Sequence, residues 1–591
     1  YLFNAYANGR GKMKHIHLAA RFLEMANKKA EAPLFFDKRD GQWQMLGYHE
    51  VAMRVVALAK NLRQMGLQSG DRVLLCAENS SSWAICDLAI MAAGGIVVPA
   101  YTTHTARDHA HQLGDSGARF IFCSEGKIAS VLLEVAKNYG DVKAACLISG
   151  PNGQTDKTDF GKIDFDIHRI ETLWQSKETG QGIEILGGGT DTCCIIYTSG
   201  TGGQPKGVML SHRSIQANID AARELLAEGD AEKEAIFLSL LPLSHAYEHT
   251  AGLHLPVQIG AEVYYCEGAD KIAANLAEVR PTLMTAVPRL YEVLYDRITS
   301  GVAAKGGLSA KAFDKAVAIG RKRWQRHPLS LTERVLDRLL DKIVRKKVAK
   351  RFGGRLKYFV SGGAALNPDI GYFFLGLGIN ILQGYGQTEA SPLISANRPG
   401  DIRIKSVGPK VSGVEVKLSK DGELLAKGAC IMNGYWQNPD ATKSALKNGW
   451  LYTGDIAEIS KDGFITITGR KKDMIVNSGG DNIAPNRVEA EFLIQPEIAQ
   501  IMVTGDKKPW LAAIIVLSEA LKEQGSDARE EAVKQAVARA NSQLASFERV
   551  RKFIIADEEF TIENNRMTPT LKVKRHILLS LYHDQLEALY R

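Results

Sequence analysis

The chain has no stretch of about eighteen consecutive apolar residues, so no membrane-spanning helix is expected. It has no C-x-x-C pair, and its eight cysteines are scattered, with two adjacent at Cys193 and Cys194. That argues against a zinc ribbon or a dithiol redox centre and leaves buried, reduced thiols of a cytoplasmic protein. There is no internal repeat of solenoid length. A Walker loop, G-x-x-x-x-G-K-[ST], is also missing: Lys206 stands between Pro205 and Gly207. Gly384-Tyr385-Gly386 begins like a dinucleotide fingerprint but lacks its third glycine. The opening segment Tyr1–Lys12 has no signal-like apolar core and is left out of the fold argument.

What is present is a chain of 591 residues, too long for one core, with 45% hydrophobic and 24% charged residues. Apolar strand-like runs alternate with helical spacing from Tyr48 onward, which predicts helix-covered, largely parallel sheets. Residues 150 to 190 are polar and read as a loop. After Gly408, short strands with Asp-Gly turns predict an antiparallel or barrel-like subdomain. A charge cluster, Gly469-Arg470-Lys471-Lys472-Asp473, then leads into a smaller α+β region. The expected division is residues 1–470 and 471–591.

The stretch Tyr197 to Gly207, Y-T-S-G-T-G-G-Q-P-K-G, places three hydroxyls, four glycines and a lysine in eleven residues. It follows an apolar run from Cys193 and precedes a helix-like segment near Ser211, so it reads as strand, glycine-rich loop and helix start. Glycines let backbone N–H groups approach a ligand, and Lys206 adds charge, so the stretch suits a polyphosphate. Gly384-Tyr385-Gly386-Gln387-Thr388-Glu389 offers a ring, an alcohol and a carboxylate after an apolar strand, where ligands sit in open α/β sheets. Ser361-Gly362-Gly363-Ala364-Ala365 could let a flat ring lie on backbone, and Tyr452-Thr453-Gly454-Asp455 puts a carboxylate on what reads as a tight turn.

Between Arg321 and Lys357 there are fourteen Lys/Arg against three Asp/Glu. Leu336, Leu339, Leu340, Ile343, Val344, Val348 and Phe352 follow helical spacing within it. Two readings stand: a helix packed on its own domain with a solvated basic face, or one lying on an anionic membrane surface.

Taken in order, Y-T-S-G-T-G-G-Q-P-K-G, S-G-G-A-A-L, G-Y-G-Q-T-E, Y-T-G-D, G-R-K-K-D and T-P-T-L-K-V-K-R resemble the AMP-forming adenylating superfamily over roughly Tyr48 to Arg575. V-P-R-L-Y after Ala286, L-P-L-S-H ending at His245 and the basic insertion resemble its long-chain fatty acyl-CoA synthetase branch. The resemblance implies a large N-terminal domain, a small mobile C-terminal domain and two half-reactions, with a fatty acid, ATP and CoA as partners and no nucleic acid. It further implies Mg²⁺ on Thr198 and Glu389. Phosphate contacts would come from Thr198, Ser199, Gly200, Thr201, Gly202, Gly203 and Lys206. Gly202 departs from the threonine of many members. Adenine would meet Gly363, Ala364, Ala365 and Tyr385, with Gln383, Gly384, Gly386 and Thr388 also at the cofactor site, and ribose would meet Asp455 and Arg470. Lys572 would bridge carboxylate and phosphate oxygens. Lys472 would be the hinge, swinging Ser478, Gly479 and Gly480 to the pantetheine channel.

His245-Ala246-Tyr247-Glu248-His249 is formally H-x-x-E-H, an inverted zinc-protease pattern. The resemblance instead makes His245 a substrate-pocket residue and puts His249 near the mouth of an acyl tunnel. The alternatives to a CoA ligase are transfer to another acceptor, an aryl or shorter acid, or a silent peripheral membrane protein that keeps the fold. Peripheral membrane contact through 321–357 and a homodimer are left open.

Overall fold

A computed structural model describes residues 16–149, 160, 162–175, 182–198, 204–522, 525–568 and 572–591. Two eight-stranded sheets form the large N-terminal part. One runs, edge to edge, through Gly434–Tyr435, Lys206–Ser211, Thr192–Thr198, Ile96–Pro99, Arg72–Cys76, Phe120–Ser124, Ala144–Ile148 and Asp166–Arg169. The other runs through Leu393–Ala396, Ile381–Gly386, Tyr358–Ser361, Leu283–Ala286, Ile236–Ser239, Glu262–Tyr265, Pro33–Arg39 and Gln42–Gly47. Inner neighbours pair parallel, as Val73↔Phe120 and Met284↔Phe359 do. Their Val/Ile/Leu/Cys-rich strands are buried because both faces are covered.

The helix Ser81–Ala93 contacts strands of both sheets, and all thirteen of its residues are buried. A helix apolar on every side has to be interior. Its one charged side chain, Asp87, therefore needs a partner inside the protein.

The sequence reading holds for the sheets and for the antiparallel region, a five-stranded sheet built on Val414–Leu418, Glu423–Gly428, Leu446–Lys447, Trp450–Ile459 and Ile465–Arg470. It needs correcting at four places. Residues 150–190 contain a strand, Asp166–Arg169, and a short helix, Ile170–Trp174, among those described. The glycine-rich stretch does not open a helix: it joins Thr192–Thr198 to an antiparallel strand, Lys206–Ser211, and the helix His212–Glu228 starts only after that. Ser211 and Ser214 cap that helix reciprocally. Gly384 to Gly386 are the end of a strand that pairs with Leu393–Ala396, rather than a loop after one. Tyr452 to Asp455 lie inside a ten-residue strand, kinked where Gly454 takes φ 72°, and form no tight turn.

The C-terminal part is a three-stranded sheet, Ile498–Thr504, Leu511–Leu517 and Val550–Ile555, with the helices Pro485–Leu493 and Ser526–Ser542 packed on one face. Arg575–Leu581 and His583–Ala588 cover the other. Asn367 in the N-terminal part donates to the Ala490 carbonyl at 3.1 Å, one direct bond between the two parts.

Candidate active site

The hairpin around the glycine-rich stretch is braced from both sides. Tyr197 donates its hydroxyl to Asp115 at 2.5 Å, and His111 Nε2 reaches the Pro205 carbonyl at 2.8 Å. Gly207 must be glycine: a Cβ there would lie 2.7 Å from Ile195 and 3.2 Å from both Tyr197 and Trp436. Ser199, Gly200, Thr201, Gly202 and Gly203 lie outside the described residues. The two flanks are described, and the register sets Thr198 directly opposite Lys206. Lys206 Nζ sits 5.1 Å from the ring centre of Tyr435, and the Tyr435 hydroxyl donates to Glu389 Oε1 at 2.8 Å. Thr198, Lys206, Tyr435 and Glu389 thus form one polar wall. Tyr435 was missed in the sequence; its only signal there is an aromatic pair, Tyr435-Trp436, in a polar turn.

The second wall joins Tyr385, Asp455 and Arg470. Asp455 and Arg470 are cross-strand partners, with Arg470 Nε 3.1 Å from Asp455 Oδ1. Tyr385 donates its hydroxyl to Asp455 Oδ2 at 2.6 Å. Burial raises the Asp455 carboxyl above its ordinary range, opposed by Arg470, Tyr385 and Lys572. Burial lowers the Arg470 pKa, but Asp455, Tyr385, Asp473 and Glu389 together more than offset it, and that reach to Glu389 connects the two walls. Gly386 is required: a Cβ there would fall 1.7 Å from the Pro392 carbonyl oxygen. Gly363, with φ 84°, turns the chain after the strand Tyr358–Ser361, and Ala364 and Ala365 are exposed beside it. Gln383 is buried and spends its amide on the Ile404 and Ser406 carbonyls, so its side chain ties loop to strand. Gly384 pairs with Ala396 in the same strand, and Thr388 begins the short turn that carries Glu389.

Lys572 comes to this wall from the far end of the chain. The bridge Met567↔Val573 and the bond from the Lys572 amide to Thr568 Oγ1, at 3.0 Å, hold it beside Met567 and Thr568. Three residues on, Arg575 is anchored on Glu489 and the Val503 carbonyl. Desolvation by the surrounding protein, and then the Arg470 guanidinium, hold the Lys572 ammonium below the usual lysine range, against the pull of Asp455. His245 is close enough to Lys572 to feel it. Burial first, and Lys572 second, lower its pKa to about 4, so its imidazole is neutral near pH 7. Its Nδ1 accepts the Tyr247 amide at 3.2 Å, which leaves the proton on Nε2 and makes that nitrogen a donor.

Lys472 is exposed in the turn that follows Arg470, where the amides of Lys471, Asp473 and Met474 carry the hydrogen bonds. Ser478, Gly479 and Gly480 sit on an exposed turn braced by Asn477 and by the Lys508 carbonyl, within the C-terminal part.

The H-x-x-E-H pattern comes apart in three dimensions. Glu248 is buried, accepting hydroxyls from Ser239 at 2.6 Å and Thr285 at 2.5 Å. His249 is wholly buried. Its partner is Asp87: His249 Nε2 lies 2.9 Å from Asp87 Oδ1, and His254 Nε2 lies 3.3 Å from Asp87 Oδ2. His249–His254 form a π-helical turn, which brings residues five apart to one side. Burial alone would raise the Asp87 pKa, yet the two histidines hold it well below the carboxylate range. Burial alone would lower that of His249, yet Asp87 first and Cys194 after it together more than offset this and bring it to about 10. The group is the internal partner that Asp87 needs.

A family model described as AMP-binding enzyme matches residues 22–436, and one described as AMP-binding enzyme C-terminal domain matches residues 472–591. The chain belongs to the AMP-binding enzyme family. A long-chain-fatty-acid–CoA ligase of Mycobacterium bovis is 32% identical, covering 98% of this chain and 97% of its own length. One from Xenopus laevis is 28% identical, covering 96% and 83%. Among solved structures, the adenylation domain of a carboxylate reductase from Mycobacterium chelonae superposes with a TM-score of 0.78 at 19% identity, covering 99% of this chain and 92% of that one. ATP-bound MatB from Rhodopseudomonas palustris gives 0.72 at 22%, covering 98% and 100%. These two show a shared fold.

Proposed function

We propose that this protein is an ATP-dependent long-chain fatty acid–CoA ligase. The observation that carries the reading is Lys572, delivered by the C-terminal part beside the Asp455–Arg470 pair and His245. In the first half-reaction a fatty carboxylate oxygen bonds to the α-phosphorus of ATP and the bond to pyrophosphate breaks, giving acyl-AMP. In the second, the CoA sulfur bonds to the acyl carbon as its proton leaves, and the bond to AMP breaks. Displacement at phosphorus is mostly a matter of position and charge. Lys572 supplies a cation between carboxylate and phosphate oxygens, and Lys206 steadies the departing pyrophosphate. Asp455 accepts ribose hydroxyls with Arg470 holding it in place. Gly363 to Ala365 and Tyr385 flank the adenine. His245, neutral with its proton on Nε2, donates toward the acyl group.

Thr198 and Glu389 offer an alcohol and a carboxylate, hard oxygen donors that fit Mg²⁺, which would neutralise phosphate charge when bound. We read the boundary between the moving parts as residues 470 and 471, with Lys472 the hinge whose rotation withdraws Lys572 and brings Gly479 and Gly480 to the pantetheine. A hinge needs only a few residues to absorb the change in φ and ψ. The enzyme is read as cytoplasmic, in peripheral contact with a membrane; a homodimer is an outcome that light scattering decides.

The test is pyrophosphate and AMP release across saturated acids of graded length, with and without CoA. Pyrophosphate release should rise into the long-chain range, because each buried methylene is worth about 0.8 kcal/mol and four together shift selectivity about a hundredfold. AMP release should require CoA. AMP release that follows a carrier protein instead, or a preference for an aryl or short acid, would replace this reading with an acyl-AMP ligase or an aryl or medium-chain ligase.

A further inference from the structure

The basic segment is a helix begun by a reciprocal cap between Ser330 and Glu333 and interrupted by a π-helical turn at Asp341–Arg345. Its apolar residues do not form one stripe. Leu336, Leu340, Val344, Val348 and Phe352 turn inward onto the second core. Leu331, Val335, Leu339 and Ile343, each four residues after the last, turn outward and are 79%, 68%, 52% and 43% exposed. No other helix among the described residues exposes four large aliphatic side chains.

The neighbouring row, three residues on, is Arg334, Arg338, Lys342 and Lys346, followed by Lys350. All five are exposed, and among the described residues none is in an ion pair. The acids that could have neutralised them are taken by other cations. Glu333 pairs with Lys322 at 2.7 Å, Asp337 pairs with Arg345 at 2.6 Å and Arg323 at 3.1 Å, and Asp341 lies 3.8 Å from Arg345. Arg345 is not part of the basic face. It is buried, donating to the Gly376, Asp337 and Ala316 carbonyls, so reversing its charge would test the core rather than the surface.

We propose that this outer face, the aliphatic row Leu331, Val335, Leu339 and Ile343 with the cation row beside it, docks on an anionic lipid surface. An apolar row suits the acyl boundary, and cations beside it suit acidic headgroups. A second copy of this chain fits less well, because a twofold contact would set the same unpaired cations against themselves. The inference gives a docking face to the membrane contact within the ligase reading and rests on that reading only for its purpose. Vesicle binding is measured without ATP, acid or CoA, so it can fail or succeed independently of the chemistry.

The experiment is co-sedimentation of the full chain with vesicles of phosphatidylcholine alone or with phosphatidylglycerol. Wild type should bind the anionic vesicles, release them as salt is raised and ignore the neutral ones. Joint Arg334→Glu, Arg338→Glu, Lys342→Glu and Lys346→Glu should weaken binding a hundredfold or more, at roughly fivefold per cation lost. Joint Leu331→Ser, Val335→Ser, Leu339→Ser and Ile343→Ser should weaken it by about tenfold or more. Both variants should melt as wild type does and form acyl-AMP from a water-soluble medium-chain acid at the wild-type rate. Wild type that ignores anionic vesicles, or variants that bind them as wild type does, would overturn the proposal. So would a serine variant that turns a dimer into a monomer and still binds vesicles, since the face would then belong to a second copy.

Discussion

Replacing Lys572 with alanine is expected to lower acyl-AMP formation about a hundred- to a thousandfold, the usual cost of removing one donor aimed at developing charge. Thioester formation from supplied acyl-AMP should stay within a few-fold of wild type, because the hinge would withdraw Lys572 before that step. Pyrophosphate release measures the first half-reaction, and CoA-dependent AMP release from acyl-AMP measures the second. Equal loss in both would remove Lys572 from its assigned role. The lowered pKa of Lys572 adds a pH signature. Adenylation needs the charged ammonium, so its alkaline limb should lie below the ordinary lysine value of 10.5. Lys572→Arg, which stays protonated, should abolish that limb even if its rate is lower.

Lys472→Pro is the counterpart. The hydrogen bonds of the turn run from Lys471, Asp473 and Met474, so proline at 472 removes none of them. It does fix φ where the hinge has to rotate. Acyl-AMP formation should survive and CoA-dependent AMP release should fall; a matched loss of both would move the hinge elsewhere.

The second large effect is on stability. Asp87→Asn should destabilise the N-terminal part by about 3–5 kcal/mol, because it leaves His249 buried without its counter-charge. Denaturant midpoints at unchanged slope measure it. The sign across pH follows from the two shifts. Asp87 is lowered from 3.8, so its contribution is present above that value and lost as pH falls below it. His249 is raised from 6.5 to about 10, so its contribution is full below 6.5 and lost as pH rises toward 10. The difference between wild type and Asp87→Asn should therefore be largest between about pH 4 and pH 6.5 and shrink on either side. A difference that does not vary with pH would mean that the pair is not charged. Replacing Asp87 and His249 together with apolar residues should recover part of the loss, as buried pairs often permit.

The sequence by itself determined what is written locally. The alternating strands and helices, the antiparallel region after Gly408 and the order of the short motifs each depend on residues close together in the chain. So did the family and the residues to examine, because Thr198, Lys206, Glu389, Asp455, Arg470 and Lys572 all sit in contiguous motifs. Boundaries were less legible where glycine misleads. Glycines at 384, 386 and 454 read as loops, but they lie in strands: at 386 the Pro392 backbone leaves no room for a side chain, and at 454 the strand takes a positive φ.

Only the tertiary structure decided the rest, since those contacts join residues far apart. Asp87 and His249 are separated by 162 positions, and nothing around either one names the other. The pairing is forced because a charge on a fully buried helix has to be neutralised where it lies. It takes His249 away from the H-x-x-E-H pattern and leaves His245 as the histidine that senses Lys572. Tyr435 joins Lys206 to Glu389 across the same kind of distance. The basic helix shows the limit most plainly: periodicity revealed that it was amphipathic, but which aliphatic row faces inward depends on what it packs against. The second core takes Leu336, Leu340 and Val344, and Leu331, Val335, Leu339 and Ile343 are left outside beside unpaired cations.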